Sequence, residues 1–412
     1  MNSPPDDGAA RPGSAPRTAT ASLTNGLVLT GGGARAAYQV GALRAVAEVL
    51  AKRDRRPFPI LCGTSAGAIN AATLAIHADD FRQGVARLTR WWRRVEVSNI
   101  YRADLGSLWT HGVRWLASVV GVGSAPKDTA SMLESDPLAG FLGQALDLTR
   151  VQGAIEQGHL HALAINATSY ATGHAVTFFQ GAETALPWQR MRRRGERAKI
   201  SVEHLMASTA IPFVFPAVRV GDDYYMDGSV RQISPLSAAL HLGARNLLIV
   251  AVGQFAGQAR SNNHVPVAYP SFAQTAGHAL SSIFLDNLGA DVERLLQMNE
   301  VVDLLPPAVL AEHALALRRV NALVLAPSRD LGALAATYAE RLPRGVRTLL
   351  RGFGSTQGSG SNLVSYLLFD RDYVDALLEL GRADALARRD EIEAFLDGSL
   401  VHMDALALRD FF

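Results

Sequence analysis

Ser65 lies in the pentapeptide Gly63-Thr64-Ser65-Ala66-Gly67, between an apolar run that predicts a strand (Pro59 to Cys62) and a run that predicts a helix (Ala68 to Ala78). Small residues on both sides allow a sharp strand-to-helix turn on which the serine hydroxyl stands clear of the backbone. Free N–H groups at the start of the helix favour developing negative charge. The pattern predicts a nucleophilic serine on an elbow formed with Gly63 and Gly67, and a purely structural turn is the alternative.

A second glycine turn supplies candidate donors for an oxyanion. Gly31, Gly32 and Gly33 follow a short apolar run, and Ala34 and Arg35 come directly after them. Consecutive glycines let the backbone approach a ligand closely with its N–H groups turned outward. Arg35 either steadies this loop by pairing with an acidic group or is simply solvated, and the sequence does not choose between the two.

Asp227 is the candidate base for the serine. It follows the strand-like Tyr224-Tyr225-Met226 and precedes Gly228 and Ser229, which places its carboxyl group at a sheet edge. A serine hydrolase needs a group that accepts the hydroxyl proton as well as donors for the oxyanion. The local sequence by itself favours a simple Asp-Gly turn without chemistry.

The elements that must position these residues follow a repeating order. A strand over 26–30, a glycine turn, a helix over 36–51, a second strand, the elbow and a second helix are typical of a parallel sheet covered by helices. Both glycine turns then lie at the carboxyl edge of the sheet, where such sheets place their sites. The sequence therefore predicts an α/β fold with a mainly parallel central sheet and a mostly helical C-terminal extension.

Four motifs in this order resemble the patatin-like phospholipase family: GGGARAAYQVGAL, GTSAG, ASTAIPFVFPAV and DGS. The resemblance covers about residues 24–255. It implies a lipid acyl hydrolase whose sheet is related to that of a cytosolic phospholipase A2 catalytic domain. It also implies a Ser–Asp dyad without histidine, with Ser65 as nucleophile, Asp227 as base, and Gly31 to Gly33 with Arg35 as the oxyanion loop.

Three positions depart from the family pattern. Thr30 precedes the glycines where many members have Asp, Ala36 replaces a usual Gly, and Ser229 follows Asp-Gly where Gly or Ala is common. None of these changes removes a reacting group, so we expect an active enzyme.

The composition along the chain indicates how the chain is divided into domains. A Pro-, Ala-, Ser- and Gly-rich tail over 1–22 is expected to be disordered, the catalytic domain to span 23–255, and a mostly helical region of unknown role to span 256–412. No apolar stretch approaches the length of a membrane-spanning helix, so we expect a cytoplasmic protein that contacts membranes peripherally. The sequence does not set the oligomeric state.

Several classes of function are disfavoured. The 412 residues carry a net charge of only +2, so the whole chain lacks the basic excess that is typical of nucleic-acid-binding proteins. The single cysteine, Cys62, excludes an internal disulfide framework and is expected to be a buried apolar residue. No Asp-rich loop of EF-hand type occurs, so the sequence gives no sign of a calcium site. We expect neither a metal nor another cofactor. The expected partner is a lipid substrate.

Two segments could contact lipid. Trp91-Trp92-Arg93-Arg94 with an apolar helical face over 105–120 forms either an interfacial lid or part of the core. The basic stretch from Arg190 to Lys199 either attracts anionic headgroups or is a solvated loop.

Three alternatives to a Ser–Asp hydrolase remain. The eleven histidines, among them His204 and His241 in helical patterns, do not exclude a Ser–His–Asp triad. Gly31-x-Gly33-x-x-Ala36 matches a relaxed dinucleotide-binding fingerprint, with Glu48 or Asp54 near the spacing of its acidic residue. A catalytically inactive lipid-binding or scaffold protein is the third.

Overall fold

A ten-stranded mixed sheet forms the centre of the described structure. The computed structural model describes residues 24–50, 55–102, 131, 133–231, 234–253, 272–306, 308–309, 317–347 and 360–400. The strands are β1 (Asn25–Leu29), β2 (Ile60–Thr64), β3 (Ala162–Ser169), β4 (Ala175–Gly181), β5 (Trp188–Arg190), β6 (Arg193–Arg197), β7 (Val218–Val220), β8 (Asp223–Asp227), β9 (Asn246–Val250) and β10 (Asn321–Leu325).

The strand order is β10-β9-β1-β2-β3-β4-β6-β5, and β8 pairs with both β3 and β7. The five strands from β10 to β3 are mutually parallel, whereas β3–β4, β3–β8, β5–β6 and β7–β8 pair antiparallel. Apolar residues on consecutive positions of β1, β2 and β9 are buried on both faces, as a parallel sheet covered by helices requires. The predicted fold class is confirmed.

Helices cover the sheet and two of them position the candidate site. A short 3-10 turn (Gly33–Ala36) leads from the first glycine turn into α1, and α2 begins directly after Ser65. The helices are α1 (Ala37–Leu50), α2 (Ala66–Ile76), α3 (Phe81–Trp92), α4 (Val97–Ile100), α5 (Asp136–Ala145), α6 (Arg150–Glu156), α7 (Val202–Thr209), α8 (Ser237–His241), α9 (Phe272–Leu304), α10 (Leu331–Ala336), α11 (Gly360–Leu367), α12 (Arg371–Ala387) and α13 (Arg389–Leu396).

The region beyond residue 255 contributes to the same sheet and core. β10 pairs with β9 along its whole length. α12 packs on α1, and two ion pairs, Arg44 with Glu379 and Arg382 with Glu48, connect the two helices. The division into 23–255 and 256–412 stays a prediction about domain organisation.

The basic stretch from Arg190 to Lys199 is not a loop, so the solvated-loop alternative is wrong. It forms the antiparallel hairpin β5–β6 at the edge of the sheet. Trp188 stacks on Phe179 with ring centroids 5.3 Å apart, and the Arg197 guanidinium donates to the carbonyl oxygen of Gly181 at 2.7 Å. Aromatic packing and hydrogen bonds to backbone carbonyl groups therefore stabilise a hairpin in this segment despite its polar composition.

The tryptophan pair belongs to the interior. Trp92 is fully buried and its Nε1 donates to Asn70 Oδ1 at 2.8 Å, while Trp91 packs on Phe141 with ring centroids 5.4 Å apart. The predicted tail 1–22, the predicted apolar face 105–120 and Asp54 lie outside the described residues. Within the described part of the chain, no helix combines the length and the apolar character that crossing a bilayer requires.

Candidate active site

The two glycine turns lie side by side at the carboxyl edge of the sheet. β1 and β2 are parallel neighbours with Leu29 opposite Gly63, so the turn after β1 and the elbow after β2 emerge at the same level. Gly31 and Gly32 are buried against this edge. The two glycine turns therefore both lie at the carboxyl edge of the sheet, as the order of the elements predicts.

Ser65 has the backbone conformation of a nucleophile elbow. Its φ of 55° and ψ of −130° lie outside the regions that a non-glycine residue ordinarily occupies. Such strain persists only where the surrounding structure imposes it, and it concentrates at functional sites. Ser65 occupies the N-cap of α2, where the first turn of the helix presents N–H groups to an anion.

Gly67 holds the two turns together. A Cβ at this position would lie 2.5 Å from the carbonyl oxygens of both Leu29 and Thr30, closer than any side chain tolerates. Only glycine therefore allows the first turn of α2 to approach the end of β1 this closely. Steric contact with the end of β1 therefore explains why the last position of the pentapeptide is glycine.

Asp227 reaches the same edge through the register of three strands. Thr64 in β2 lies opposite Asn166 in β3, and the next residue of β3, Ala167, lies opposite Asp227 in β8. Because β4 occupies the other side of β3, β8 continues along the side that β2 leaves after Thr64, and Asp227 lies next to the elbow. The 162 residues that separate it from Ser65 in the chain are bridged by this pairing.

The Asp227 carboxyl group is completely buried. Its Oδ1 accepts a hydrogen bond from the Ser229 backbone N–H at 2.8 Å. Burial raises the pKa of Asp227 to about 6, while hydrogen bonds from the Ser65 hydroxyl and from Ser229 act in the opposite direction. Among the described residues, Oδ2 has no hydrogen-bond partner, so one oxygen of the carboxyl group is left to accept a proton.

Gly228 and Ser229 form a short 3-10 turn after Asp227. Gly228 packs directly against the Asn166 carbonyl of β3, and the Ser229 N–H donates a hydrogen bond to the Asp227 carboxyl group. The Asp-Gly-Ser motif thus fixes the direction of the Asp227 side chain.

A polar network that the sequence analysis did not single out supports the elbow. The Ser65 N–H donates to Ser208 Oγ at 2.9 Å, and Ser208 Oγ donates to the Asn166 carbonyl oxygen at 2.6 Å. Asn166 Nδ2 donates to Thr64 Oγ1 at 3.0 Å. Ser208 lies inside the ASTAIPFVFPAV motif, which signalled its importance, whereas no local pattern pointed to Asn166.

Arg35 is buried beneath the first glycine turn, which excludes the solvated alternative. Its Nε donates to Ser365 Oγ at 2.6 Å, and its guanidinium carbon lies 4.4 Å from the centre of the Tyr366 ring. Gly33, with a φ of +54°, passes so close to the Tyr366 carbonyl oxygen that a Cβ would lie 2.4 Å from it. A C-terminal segment therefore clamps the glycine turn, and no sequence motif signalled this.

An apolar cavity of about 40 Å³ adjoins Ser65. It is close to the size of one or two water molecules, so side chains must move before a lipid chain can enter. Its walls come from the elbow, α3, α5, the segment after α7 and the end of α11. The lining residues are Gly33, Ser65, Ala66, Ile69, Trp91, Trp92, Ile100, Leu138, Thr209, Ile211, Phe215, Tyr366, Leu367 and Phe369.

The histidine and metal alternatives find no support in the described part of the chain. None of the histidines whose side chains are described lines the cavity of Ser65, and His204 and His241 contact Ser201 and Ser237 in their own helices. No described group of histidine, cysteine and acidic residues could hold a metal ion. Cys62 is buried, and burial raises the pKa of its thiol to about 12.

The dinucleotide alternative requires an acidic residue that is free to bind a ribose. Glu48 lies on α1 and accepts two hydrogen bonds from the Arg382 guanidinium, at 2.7 and 2.8 Å. Its carboxylate is therefore occupied by an ion pair far along the helix from the glycine turn.

Comparison with known proteins adds a family match. A family model described as patatin-like phospholipase matches residues 27–240, a range that includes both glycine turns and Asp227. Comparison with curated proteins finds no match.

Solved structures that resemble the chain include the following two. One is human GIVD cytosolic phospholipase A2 in complex with methyl gamma-linolenyl fluorophosphonate, with 15% identity and a TM-score of 0.39, covering 92% of this chain and 59% of that one. The other is VipD from Legionella pneumophila, with 14% identity and a TM-score of 0.30, covering 87% of this chain and 67% of that one. The chain thus spans about three fifths of the length of the human protein.

Proposed function

The chain belongs to the patatin-like phospholipase family, and we propose that it hydrolyses carboxylic ester bonds of phospholipids or related lipids through Ser65 and Asp227. The observation that carries this proposal is the strained Ser65 at the end of β2 beside a fully buried carboxyl group with a raised pKa. A base with a pKa near 6 is better matched to proton transfer near neutral pH than an ordinary aspartate.

In the first half of the reaction, Asp227 Oδ2 accepts the hydroxyl proton while Ser65 Oγ attacks the ester carbonyl carbon. The carbonyl oxygen becomes an oxyanion, and the N–H groups of the Gly31 to Ala34 turn and of Ala66 are the proposed donors to it. The intermediate then expels the alcohol, which takes the proton from Asp227. Ser65 is left esterified by the acyl group.

In the second half, a water molecule attacks the acyl-enzyme and gives its proton to Asp227. The fatty acid leaves and the proton returns to Ser65 Oγ. The role proposed for Arg35 is to hold the glycine turn in place, since its guanidinium is engaged by Ser365 and Tyr366 beneath the turn.

The apolar cavity beside Ser65 supports an acyl group as the part of the substrate that binds there. Its walls are almost entirely aromatic and aliphatic side chains, which suits a hydrocarbon chain and offers no partner for a charged group. A lipid substrate also implies peripheral membrane contact. The cytoplasmic location stays a prediction.

Hydrolysis of a soluble p-nitrophenyl ester and of phospholipid vesicles tests the proposal. We expect Ser65→Ala and Asp227→Ala to reduce turnover by roughly three orders of magnitude or more, because each removes a reacting group. Ser169→Ala is a suitable control, since its hydroxyl contacts Asp223 and not the candidate site. Near-normal turnover by folded Asp227→Ala protein would contradict the dyad.

A further inference from the structure

Three turns extend beyond the same edge of the sheet on which Ser65 lies. β3 runs parallel to β2, so the turn between β3 and β4 follows the carboxyl end of β3. β6 is parallel to β4 and β5 antiparallel to β6, which places the β5–β6 turn at that edge. The start of β8 extends past the end of β3, because Ser169 lies opposite Tyr225.

These turns form one continuous surface. The Tyr170 N–H donates to the Tyr224 carbonyl oxygen at 2.9 Å, which joins the β3–β4 turn to β8. On its other side, the Ala175 N–H donates to the Arg192 carbonyl oxygen at 3.0 Å and joins the β3–β4 turn to the β5–β6 turn. We name the exposed residues of these three elements the turn surface: Tyr170, Arg190, Met191, Arg192 and Tyr224.

The turn surface exposes large apolar and amphipathic side chains. Met191 at the tip of the β5–β6 turn is 89% exposed, and Tyr170 and Tyr224 are about half exposed. A methionine at a hairpin tip with two flanking tyrosines is the composition that favours the boundary between lipid headgroups and acyl chains.

The charges on this surface favour anions. Arg190 and Arg192 flank Met191 in the chain, and neither of them forms a side-chain ion pair among the described residues. The nearby acidic groups are engaged, since Asp222 pairs with Arg219 and Asp223 accepts from the Ser169 hydroxyl at 2.5 Å. The cations therefore remain available to an external partner, and lipid phosphates match them.

An exposed aromatic side chain lies next to two residues that line the cavity beside Ser65. Phe213 is 66% exposed, and its neighbours Ile211 and Phe215 both line the cavity. Its φ of 67° is unfavourable for a bulky residue, so the backbone of this segment is held in a strained conformation.

We propose that the turn surface docks the protein on a membrane that contains anionic lipids, with Met191 entering the interface and Arg190 and Arg192 contacting phosphates. This inference deepens the proposed function, because docking would bring ester groups to the edge of the sheet where Ser65 lies. Binding itself does not require the reaction, so the two can be tested separately.

The experiment measures vesicle co-sedimentation of full-length Ser65→Ala protein, which does not consume the lipid. The vesicles are phosphatidylcholine alone or phosphatidylcholine with about one third phosphatidylglycerol. We expect binding only to the anionic vesicles. Adding Met191→Ser, or Arg190→Gln together with Arg192→Gln, should lower the partition coefficient about tenfold or more.

Leu186→Ser is the matched control. Leu186 is 68% exposed and precedes β5 at the opposite edge of the sheet, so its replacement removes similar apolar surface from the wrong side. Unchanged binding of the Met191→Ser protein, equal binding to neutral vesicles, or an equal loss in Leu186→Ser would each overturn the inference.

The same variants with Ser65 restored separate this inference from the proposed function. Met191→Ser is expected to lose activity on anionic vesicles while it keeps its rate on a soluble p-nitrophenyl ester. A wild type that binds anionic vesicles but hydrolyses neither substrate would contradict the proposed function and leave the docking surface supported by the binding data.

Discussion

The carboxyl group of Asp227 experiences two opposing influences. Burial stabilises its neutral form, whereas donors from Ser65 and Ser229 stabilise the carboxylate, and burial dominates. A pKa of about 6 means that the group changes its charge in the pH range where many enzymes work. Two predictions at the residue scale follow from this single value.

The first concerns the pH dependence of activity. If Asp227 accepts the proton of Ser65, only its ionised form is active, so kcat/KM for a soluble ester should rise as the pH increases through about 6 and then level off. The measurement is a profile of kcat/KM in buffers of constant ionic strength. A profile with its acidic limb near pH 4, the range of an ordinary aspartate, would contradict the assignment.

The second concerns stability. The folded protein holds the proton of Asp227 more tightly than the unfolded chain, whose carboxyl group has a pKa near 3.8. Ionisation therefore destabilises the folded state as the pH rises from 3.8 through 6, by up to about 3 kcal/mol. Asp227→Asn cannot ionise, so relative to the wild type it should gain roughly that free energy of unfolding between pH 4 and pH 7.

Urea unfolding of both proteins at the two pH values measures this difference. Asp223→Asn serves as the control, because Asp223 lies at the other end of β8 and is only partly buried. An Asp227→Asn protein whose stability relative to the wild type is the same at pH 4 and pH 7 would show that the carboxyl group is not held in the state described here.

At the scale of elements, the site depends on a segment outside the range of the family match. Ser365 and Tyr366 lie at the end of α11, and Arg35 reaches them across 330 positions of the chain. The next residue, Leu367, accepts a hydrogen bond from the Tyr101 hydroxyl at 2.8 Å. This segment is therefore held from two sides while it supports the glycine turn.

We expect Tyr366→Leu to lower kcat about tenfold with a smaller change in KM, because it removes the ring that holds the Arg35 guanidinium. Tyr366→Phe keeps that ring and should retain most of the activity. Tyr338→Leu is the matched control, since Tyr338 makes the same kind of contact with Arg341 and does not line the cavity.

Steady-state kinetics together with thermal unfolding distinguish positioning from a general loss of stability. Tyr366→Leu and Tyr338→Leu proteins with equal kcat would show that the contact with Arg35 does not position the glycine turn.

Local patterns predicted those elements whose apolar residues face the core. The first two parallel strands and both glycine turns were predictable because a buried strand or a tight turn leaves a direct trace in residue types. The pairing of β8 with β3 was not, since a register between distant segments depends on the whole fold. For the same reason no pattern around Ser365 indicated its contact with Arg35.

At the scale of the whole molecule, one apolar core joins the family-matched range to the C-terminal region. Leu27 of β1, Leu323 of β10 and Leu377 of α12 belong to a single buried cluster. The candidate site is therefore built on a structure to which both ends of the described chain contribute. The role of the C-terminal region, which the sequence left open, includes completing the sheet and supporting the glycine turn.

The net charge of the chain does not describe how charge is distributed over its surface. The excess of only +2 hides a local concentration of arginines around Met191 at the edge where Ser65 lies. A nearly neutral protein with one basic, partly apolar edge can approach an anionic surface in a defined orientation.

Mass spectrometry after treatment with a lipid-like fluorophosphonate tests the central claim most directly. The account predicts a single stoichiometric adduct on the peptide that contains Ser65, no adduct in Ser65→Ala, and labelling slowed about a hundredfold or more in Asp227→Asn. A wild type that is folded and unlabelled, or an adduct on another serine that persists in Ser65→Ala, would contradict it.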